Sequence, residues 1–306
     1  SDMSKGAVMT DEAVASTEKP RSLGRDAWDD LRRRPMFLIA LFLIVMFTLM
    51  AIAPRLFTGI DPLQCDLAKS RETPSADAWF GYDGNGCSVY ARTIYGARAS
   101  MAVGVLTTLF VTITGLFLGT IGGFYGRVTD TIVSRVGDIF FGIPLLLGAL
   151  LVLVTFPSDE FTPAWLTILK VVIALALLGW PSIMRISRSS VLQVRNSDYV
   201  SAARALGATG PRIITRHIIP NAVAPVIVVA TISLGAYIGA EATLSFLGIG
   251  LQPPVVSWGV MISDAQRYVR VAPHMLLFPA MALSLCVLSF IMLGDTIRDA
   301  LDPKLR

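Results

Sequence analysis

Met101-Ala-Val-Gly-Val-Leu-Thr-Thr-Leu-Phe-Val-Thr-Ile-Thr-Gly-Leu-Phe-Leu-Gly-Thr-Ile-Gly-Gly-Phe-Tyr125 runs for 25 residues without a charged side chain. Roughly 18 or more apolar residues are what it takes to cross about 30 Å of hydrocarbon at about 1.5 Å per residue. Five further runs flank this one: Met36 to Ala53, Ile139 to Phe156, Leu166 to Met184, Ala222 to Leu247 and Met275 to Leu293. Hydrocarbon offers no water to satisfy backbone N–H and C=O groups, so each run is read as a helix that satisfies them internally. The composition agrees, because 54% of the 306 residues are hydrophobic and only 16% are charged, against about 25% charged in a soluble domain. The expected fold is all-α, a polytopic membrane protein with six transmembrane helices.

Basic residues beside spans favour the cytoplasmic side. Lys5, Lys19, Arg21, Arg25, Arg32, Arg33 and Arg34 precede the first run; with two more in the loop 126–138, six in the loop 185–221 and three after Leu293, one side carries 18. The other carries seven: Arg55, Lys69, Arg71, Arg92, Arg98, Arg267 and Arg270. Both termini are therefore expected in the cytoplasm. The layout is a cytoplasmic tail over 1–35, a first span over 36–53, an extracytoplasmic loop over 54–100, a core over 101–293 that contains a cytoplasmic loop over 185–221, and a short tail over 294–306. Within the N-terminal tail, Trp28 and Leu31 share one face of a short amphipathic helix suited to the inner membrane surface, a disordered tail being the alternative. Gly115, Gly119 and Gly123, and likewise Gly235 and Gly239, recur at every fourth position, a spacing that lets helices pack closely. Basic residues placed beside spans, rather than on one soluble face, argue against nucleic-acid binding.

Catalytic motifs are missing. His217 and His274 are the two histidines, far apart in sequence, and they form no zinc motif. No Lys follows a Gly, so the phosphate-cradling Gly-x4-Gly-Lys-Ser/Thr loop is absent, and nucleotide chemistry would have to belong to another chain. Charges near the spans are few: Asp138 at an edge, Lys170 inside the fourth run, where it can snorkel to the interface, and Glu241 near the outer end of the fifth. Glu241 is read either as a pathway residue or as a partner of loop backbone. Cys65 and Cys87 share the long outer loop, in the compartment where disulfides persist, and are expected to pair; two free thiols are the alternative. Cys286 lies within the sixth run as packing.

The loop 185–221 is the most informative stretch. Asn196-Ser-Asp-Tyr-Val-Ser-Ala-Ala-Arg-Ala-Leu-Gly207 reads as a short helix capped by Asn196 or Ser197, with Asp198 in its first turn and Gly207 as its stop. Pro211 suits the first turn of the next helix. Val200, Ala203 and Leu206 fall on one face, and the alanines keep it low, so the helix is read as a docking element; an amphipathic helix lying on the membrane is the alternative.

The pattern Ala202-Ala203-x3-Gly207-x12-Pro220 resembles the Glu-Ala-Ala loop of permease subunits of ATP-binding-cassette importers, with Ser201 standing where that pattern has Glu. Arg216-His-Ile-Ile-Pro-Asn221 is similar to the form found in the dipeptide, oligopeptide and nickel branch. Ile94-Tyr-Gly-Ala-Arg-Ala-Ser-Met101, Glu241-Ala-Thr-Leu-Ser-Phe-Leu-Gly-Ile-Gly-Leu-Gln-Pro-Pro254 and Leu293-Gly-Asp-Thr-Ile-Arg-Asp-Ala-Leu-Asp-Pro303 point to the same branch and to its second permease. Asn85-Gly-Cys-Ser-Val89 departs from that branch, which more often shows Leu-Gly-Arg-Asp-Val there.

The resemblance implies a type I importer-like fold and a heterodimer with a second permease in the cytoplasmic (inner) membrane. It also implies two cytoplasmic ATPase chains that bind ATP and Mg, and an extracytoplasmic binding protein that delivers peptide. Tyr199, Val200, Ser201, Ala202, Ala203, Arg204, Leu206 and Gly207 would form the coupling helix on which the ATPases dock. This chain would carry no cofactor and no catalytic residue. A nickel or other small-solute importer is the nearest alternative. An ion-coupled carrier acting alone, or a scaffold that moves nothing, leaves the loop 185–221 without a purpose.

Overall fold

The structure is a computed structural model that describes residues 31–159 and 161–301. The amphipathic reading at Trp28 lies outside the described residues.

α1 (Pro35–Ile52) opens on a proline, whose missing N–H is one that a first helical turn leaves unpaired anyway. α2 (Val89–Tyr125) is 37 residues long, about 55 Å at 1.5 Å per residue, and so stands well clear of the hydrocarbon. The Ser88 hydroxyl caps it, accepting from the Ala91 N–H. Residues 89–100 therefore belong to α2 and not to a loop ending at 100. The third apolar run, expected as one span over 139–156, is instead split between α3 (Arg127–Phe141) and α4 (Leu145–Thr155), which meet at 81°. Gly142-Ile143-Pro144 lies at the break: Pro144 has no N–H to continue the ladder, and it biases Ile143 away from helical backbone.

α5 (Ala164–Arg195) tolerates Pro181 inside its length. After it come α6 (Asp198–Ala205) and α7 (Gly210–Ile213), which has Pro211 in its first turn. A π-helical turn over Ile214–Ile218 joins α7 to α8 (Ile219–Phe246), so that Gly210–Phe246 forms one continuous span. The loop expected over 185–221 is therefore helical along most of its length. α9 (Trp258–Ala265) is short, and α10 (His274–Leu301) closes the described chain. Among the described residues, five helices are long and apolar enough to cross a membrane, and counting the bent α3–α4 pair as one span makes six.

The core forms around α2 and α5. A Cβ added at Gly115 would lie 2.7 Å from the Ile183 Cβ, and one at Gly119 2.5 Å from the Met184 carbonyl, so glycine lets the two backbones meet. Gly123 continues the seam against Val191. In the second pair, Gly235 approaches Val287 of α10, whereas Gly239 faces open space.

The helices run between two poles. At one, Arg98 donates to the Ala51 carbonyl at 3.0 Å and so caps the end of α1; the disulfide-bearing loop lies on this side. At the other pole are Gly126, α6 and the end of α10. There Leu31 and Phe37 pack with Leu293 and Ala300, bringing the described start and end of the chain together.

Candidate functional site

At the α6 pole, the short helix is placed by a small apolar cluster. Val200 is fully buried with Val191, Ile213, Ile218 and Ala222, and Ala203 packs partly against them. This corrects the docking face expected from Val200, Ala203 and Leu206. Val200 faces its own chain, and Ala203 is only partly open. The outward surface is Tyr199, Ser201, Ala202, Arg204 and Leu206. Leu206 is 89% exposed, a large apolar side chain standing in the open at a helix end. Gly207 has φ +79°, the left-handed conformation in which glycine ends helices. Ser197 occupies the N-cap position, but its hydroxyl donates back to the Val194 carbonyl at 2.7 Å, so the expected side-chain cap is not made. Arg204 lies over the Phe124 ring at 5.7 Å, and Tyr199 stands 6.3 Å from the His217 ring.

Ion pairs brace the bent third segment at this pole. The Arg188 guanidinium grips Asp130 with two donors, one from Nη2 at 2.7 Å and one from Nε. Arg185 donates to Asp138 at 2.8 Å and lies over the Phe141 ring. These pairs hold α3 on α5 near the base of α6. The sequence reading noted Asp138 but not its partner, because a bond spanning 47 residues leaves no local signal.

At the opposite pole, Cys65 and Cys87 form a disulfide. Asp83 organises the loop around it. Its carboxylate accepts from the N–H groups of Asn85 and Cys87, both at 2.9 Å, and pairs with Arg92 at the start of α2. Nη2 of Arg92 also lies 3.7 Å from Asp264 of α9. Burial pushes the Asp264 carboxyl above its ordinary range; Arg92 and Arg267 pull against that, and Asp83 adds to it. Together these groups, with Tyr268, line a polar cavity of about 290 Å³. The His274 ring bonds the Tyr82 carbonyl at 3.1 Å, and Phe80 stacks on Phe278, tying the loop to α10. Lys170 reaches this side as expected, donating to the Pro157 carbonyl at 2.7 Å.

Glu241 has no exposure, so in this conformation it does not line an open pathway. Its Oε1 accepts from Ser245 at 2.7 Å and from Ser257 at 3.2 Å. The Ser245 contact is legible as an i, i+4 pair on a helix. The Ser257 contact, from another element, is not. Among the described residues no cluster of His, Cys, Asp or Glu is arranged to hold a metal ion.

Residues 112–306 match the model of the family described as binding-protein-dependent transport system inner membrane component, and residues 22–74 match the N-terminal TM domain of oligopeptide transport permease C. The oligopeptide transport system permease protein OppC of Bacillus subtilis (strain 168) is 37% identical over 295 residues, covering 96% of this chain and 94% of the relative. The dipeptide transport system permease protein DppC of Alkalihalophilus pseudofirmus is 38% identical over 283 residues, covering 92% and 90%. In fold, the chain is similar to the inward-facing MetNI methionine ABC transporter, with TM-score 0.53 at 19% identity, covering 69% of this chain and 96% of that one. A family match across most of the chain, with relatives aligned almost end to end, shows that this protein belongs to the binding-protein-dependent transport system inner membrane components, the permease subunits of ABC importers.

Proposed function

We propose that this chain is the second permease of a peptide importer and forms half of a pathway for di- or oligopeptides. An extracytoplasmic binding protein would deliver the peptide, a second, homologous permease would complete the pathway, and two ATPase chains would bind ATP and Mg on the cytoplasmic side of the inner membrane. The substrate class is supported by relatives named for dipeptide and oligopeptide transport. The observation that carries the mechanism is α6, a short helix held in place by one buried residue, Val200, while presenting Leu206 outward. Ser201, in place of the acidic residue of the Glu-Ala-Ala pattern, leaves the contact more apolar. Movement of α6 would pass to α5 and α8 through this cluster, which holds Val200 together with Val191 of α5, Ile213 of α7 and Ala222 of α8.

The test is reconstitution of the four-chain membrane complex with its binding protein. Leu206→Asp should leave insertion and folding intact but release the ATPases, or let them idle, cutting peptide uptake at least tenfold. Val200→Ala should act differently, loosening the cluster by roughly 1–3 kcal/mol and lowering thermal stability. Normal peptide-stimulated ATP hydrolysis and uptake with Leu206→Asp would reject α6 as the coupling element.

A further inference from the structure

Glu241 stands at the centre of a polar junction between three elements. Ser245 belongs to α8 itself and Ser257 caps α9, and both donate to Oε1 of Glu241; Ser100, on α2, is tied to the same crossover through Trp258. Each of these hydroxyls also accepts a backbone N–H: Ser245 from Leu251 at 2.9 Å, Ser257 from Val260 at 3.2 Å, and Ser100 from Trp258 at 3.2 Å. Ser245 and Ser257, with their oxygens engaged in this way, direct their own protons to Oε1 of Glu241. The crossover from Gly248 to Ala265 is thus sewn to α8 through Glu241, and to α2 through the Trp258 N–H on the Ser100 hydroxyl.

Packing supports the same junction. A Cβ at Gly250 would stand 2.5 Å from the Ser245 nitrogen, and one at Gly259 2.7 Å from the Ala242 Cα, so the crossover lies directly on the α8 backbone. Trp258 is fully buried, and its indole N–H donates to the Thr93 carbonyl of α2 at 2.8 Å. Removing a hub of this kind leaves several buried donors unpaired at once, which is why such networks act as units.

We propose that Glu241 is a positioning residue for transport, which makes the outer end of α8, the adjoining part of α2 and the Gly248–Ala265 crossover one rigid block. The block moves as a unit during the access cycle, and the pathway opens along its edges against other chains, not by the crossover swinging off α8. This goes beyond the importer reading and rests on it only for the uptake readout.

Two measurements on the assembled complex test the proposal. In hydrogen exchange, the amides of Leu251, Trp258 and Val260 should stay equally protected with and without bound ATP. Glu241→Gln keeps a carbonyl oxygen for the same hydroxyls, and puts its amide nitrogen where Oε2 makes no bond, so protection and uptake should survive. Glu241→Ala should speed exchange of those amides at least tenfold and lower the peptide carried per ATP hydrolysed. Tenfold faster exchange in one nucleotide state of the unaltered complex, or unchanged exchange in Glu241→Ala, would overturn the proposal.

The second measurement is a cross-link. The Ser263 hydroxyl donates to the Phe246 backbone carbonyl at 3.2 Å, so positions 246 of α8 and 263 of α9 lie close enough for a short linker to bridge cysteines placed there. Cys65 and Cys87 are already bonded and Cys286 is buried, so within this chain a short thiol-reactive linker finds the introduced pair, and the complex with unaltered 246 and 263 serves as the control. Linked complex should transport within about twofold of unlinked complex. A tenfold loss that reverses when the linker is cleaved would show that the crossover must swing, and would overturn the proposal. If the unlinked complex fails to import peptide, the importer reading fails, while the exchange result still judges the block.

Discussion

At Arg92 one guanidinium meets two carboxylates with different fates. Asp83 is buried, pairs closely with it and also accepts two backbone N–H groups. Asp264 stands farther off with its side chain about half exposed, and there partial desolvation, with the Asp83 charge, outweighs the attraction and raises its carboxyl above the ordinary range. A carboxyl whose folded pKa lies above its unfolded value favours the folded state when protonated. Its contribution is present at low pH and is lost as pH rises through the folded pKa, in a window above the ordinary value of about 4. Asp264→Asn should remove that loss, giving a thermal midpoint at neutral pH equal to or above that of the parent and a flatter pH profile. Melting curves in detergent from acidic to neutral pH will show this, and a lower midpoint at every pH would mean that the attraction to Arg92 wins. Legibility at this scale depended on locality. Gly207 and Pro211 were readable because backbone conformation is a property of one residue. Arg92 was counted only as an outer-side charge, because its partners are brought to it by the fold.

Among the elements, five of the six apolar runs fall on single long helices and the third falls across the bent α3–α4 pair, yet the helices overshoot the runs. α2 begins 12 residues before Met101 and α5 continues 11 residues past Met184. The apolar criterion marks where hydrocarbon ends, whereas the helix ends where its capping does, and Arg92, Arg98, Arg188 and Arg195 sit on the polar extensions. The orientation of α6 was misread for a related reason: the period groups Val200 with Ala203, but only the distant residues Ile213, Ile218 and Ala222 decide which way that face turns. The glycine seam was legible as spacing, and the structure separates its members. Gly119→Ala would drive a Cβ to 2.5 Å from the Met184 carbonyl, and overpacking of this kind costs roughly 1–3 kcal/mol. Gly239→Ala meets nothing within 4 Å and should be neutral or slightly stabilising, so paired melting curves isolate the close approach from helix propensity. In the outer loop, the Cys65–Cys87 bond closes 22 residues, worth about 3 kcal/mol on the loop-entropy account. Replacing both cysteines by serine should speed proteolytic nicking between residues 54 and 88 while leaving the melting of the spans unchanged. The ties from Asp83 and His274 remain, so the loop should loosen without detaching.

For the whole molecule, two unrelated arguments support the same proposed orientation. The first is positional: Leu31 and Phe37 pack with Leu293 and Ala300, and Arg34 pairs with Asp299 at 3.5 Å, so the chain enters and leaves the bundle at the α6 pole. The uneven distribution of basic residues, 18 against seven, then favours the cytoplasm for that pole, since Lys and Arg beside spans stay on the side of synthesis. The second is chemical: the disulfide lies at the other pole, and such bonds persist outside the reducing cytoplasm. Inverting the molecule would carry the basic excess across the membrane and put Cys65 and Cys87 where thiols stay reduced, so a single change of sign defeats both arguments together. An alkaline phosphatase fused after Arg306 should therefore be inactive, and a fluorescent protein at the same place should be bright. The same phosphatase inserted at Gly59, where the loop is exposed and a Cβ would meet nothing within 4 Å, should be active. The reverse pattern would place α6 outside the cell, beyond the reach of any ATPase, and the coupling role proposed for it would fall with the topology.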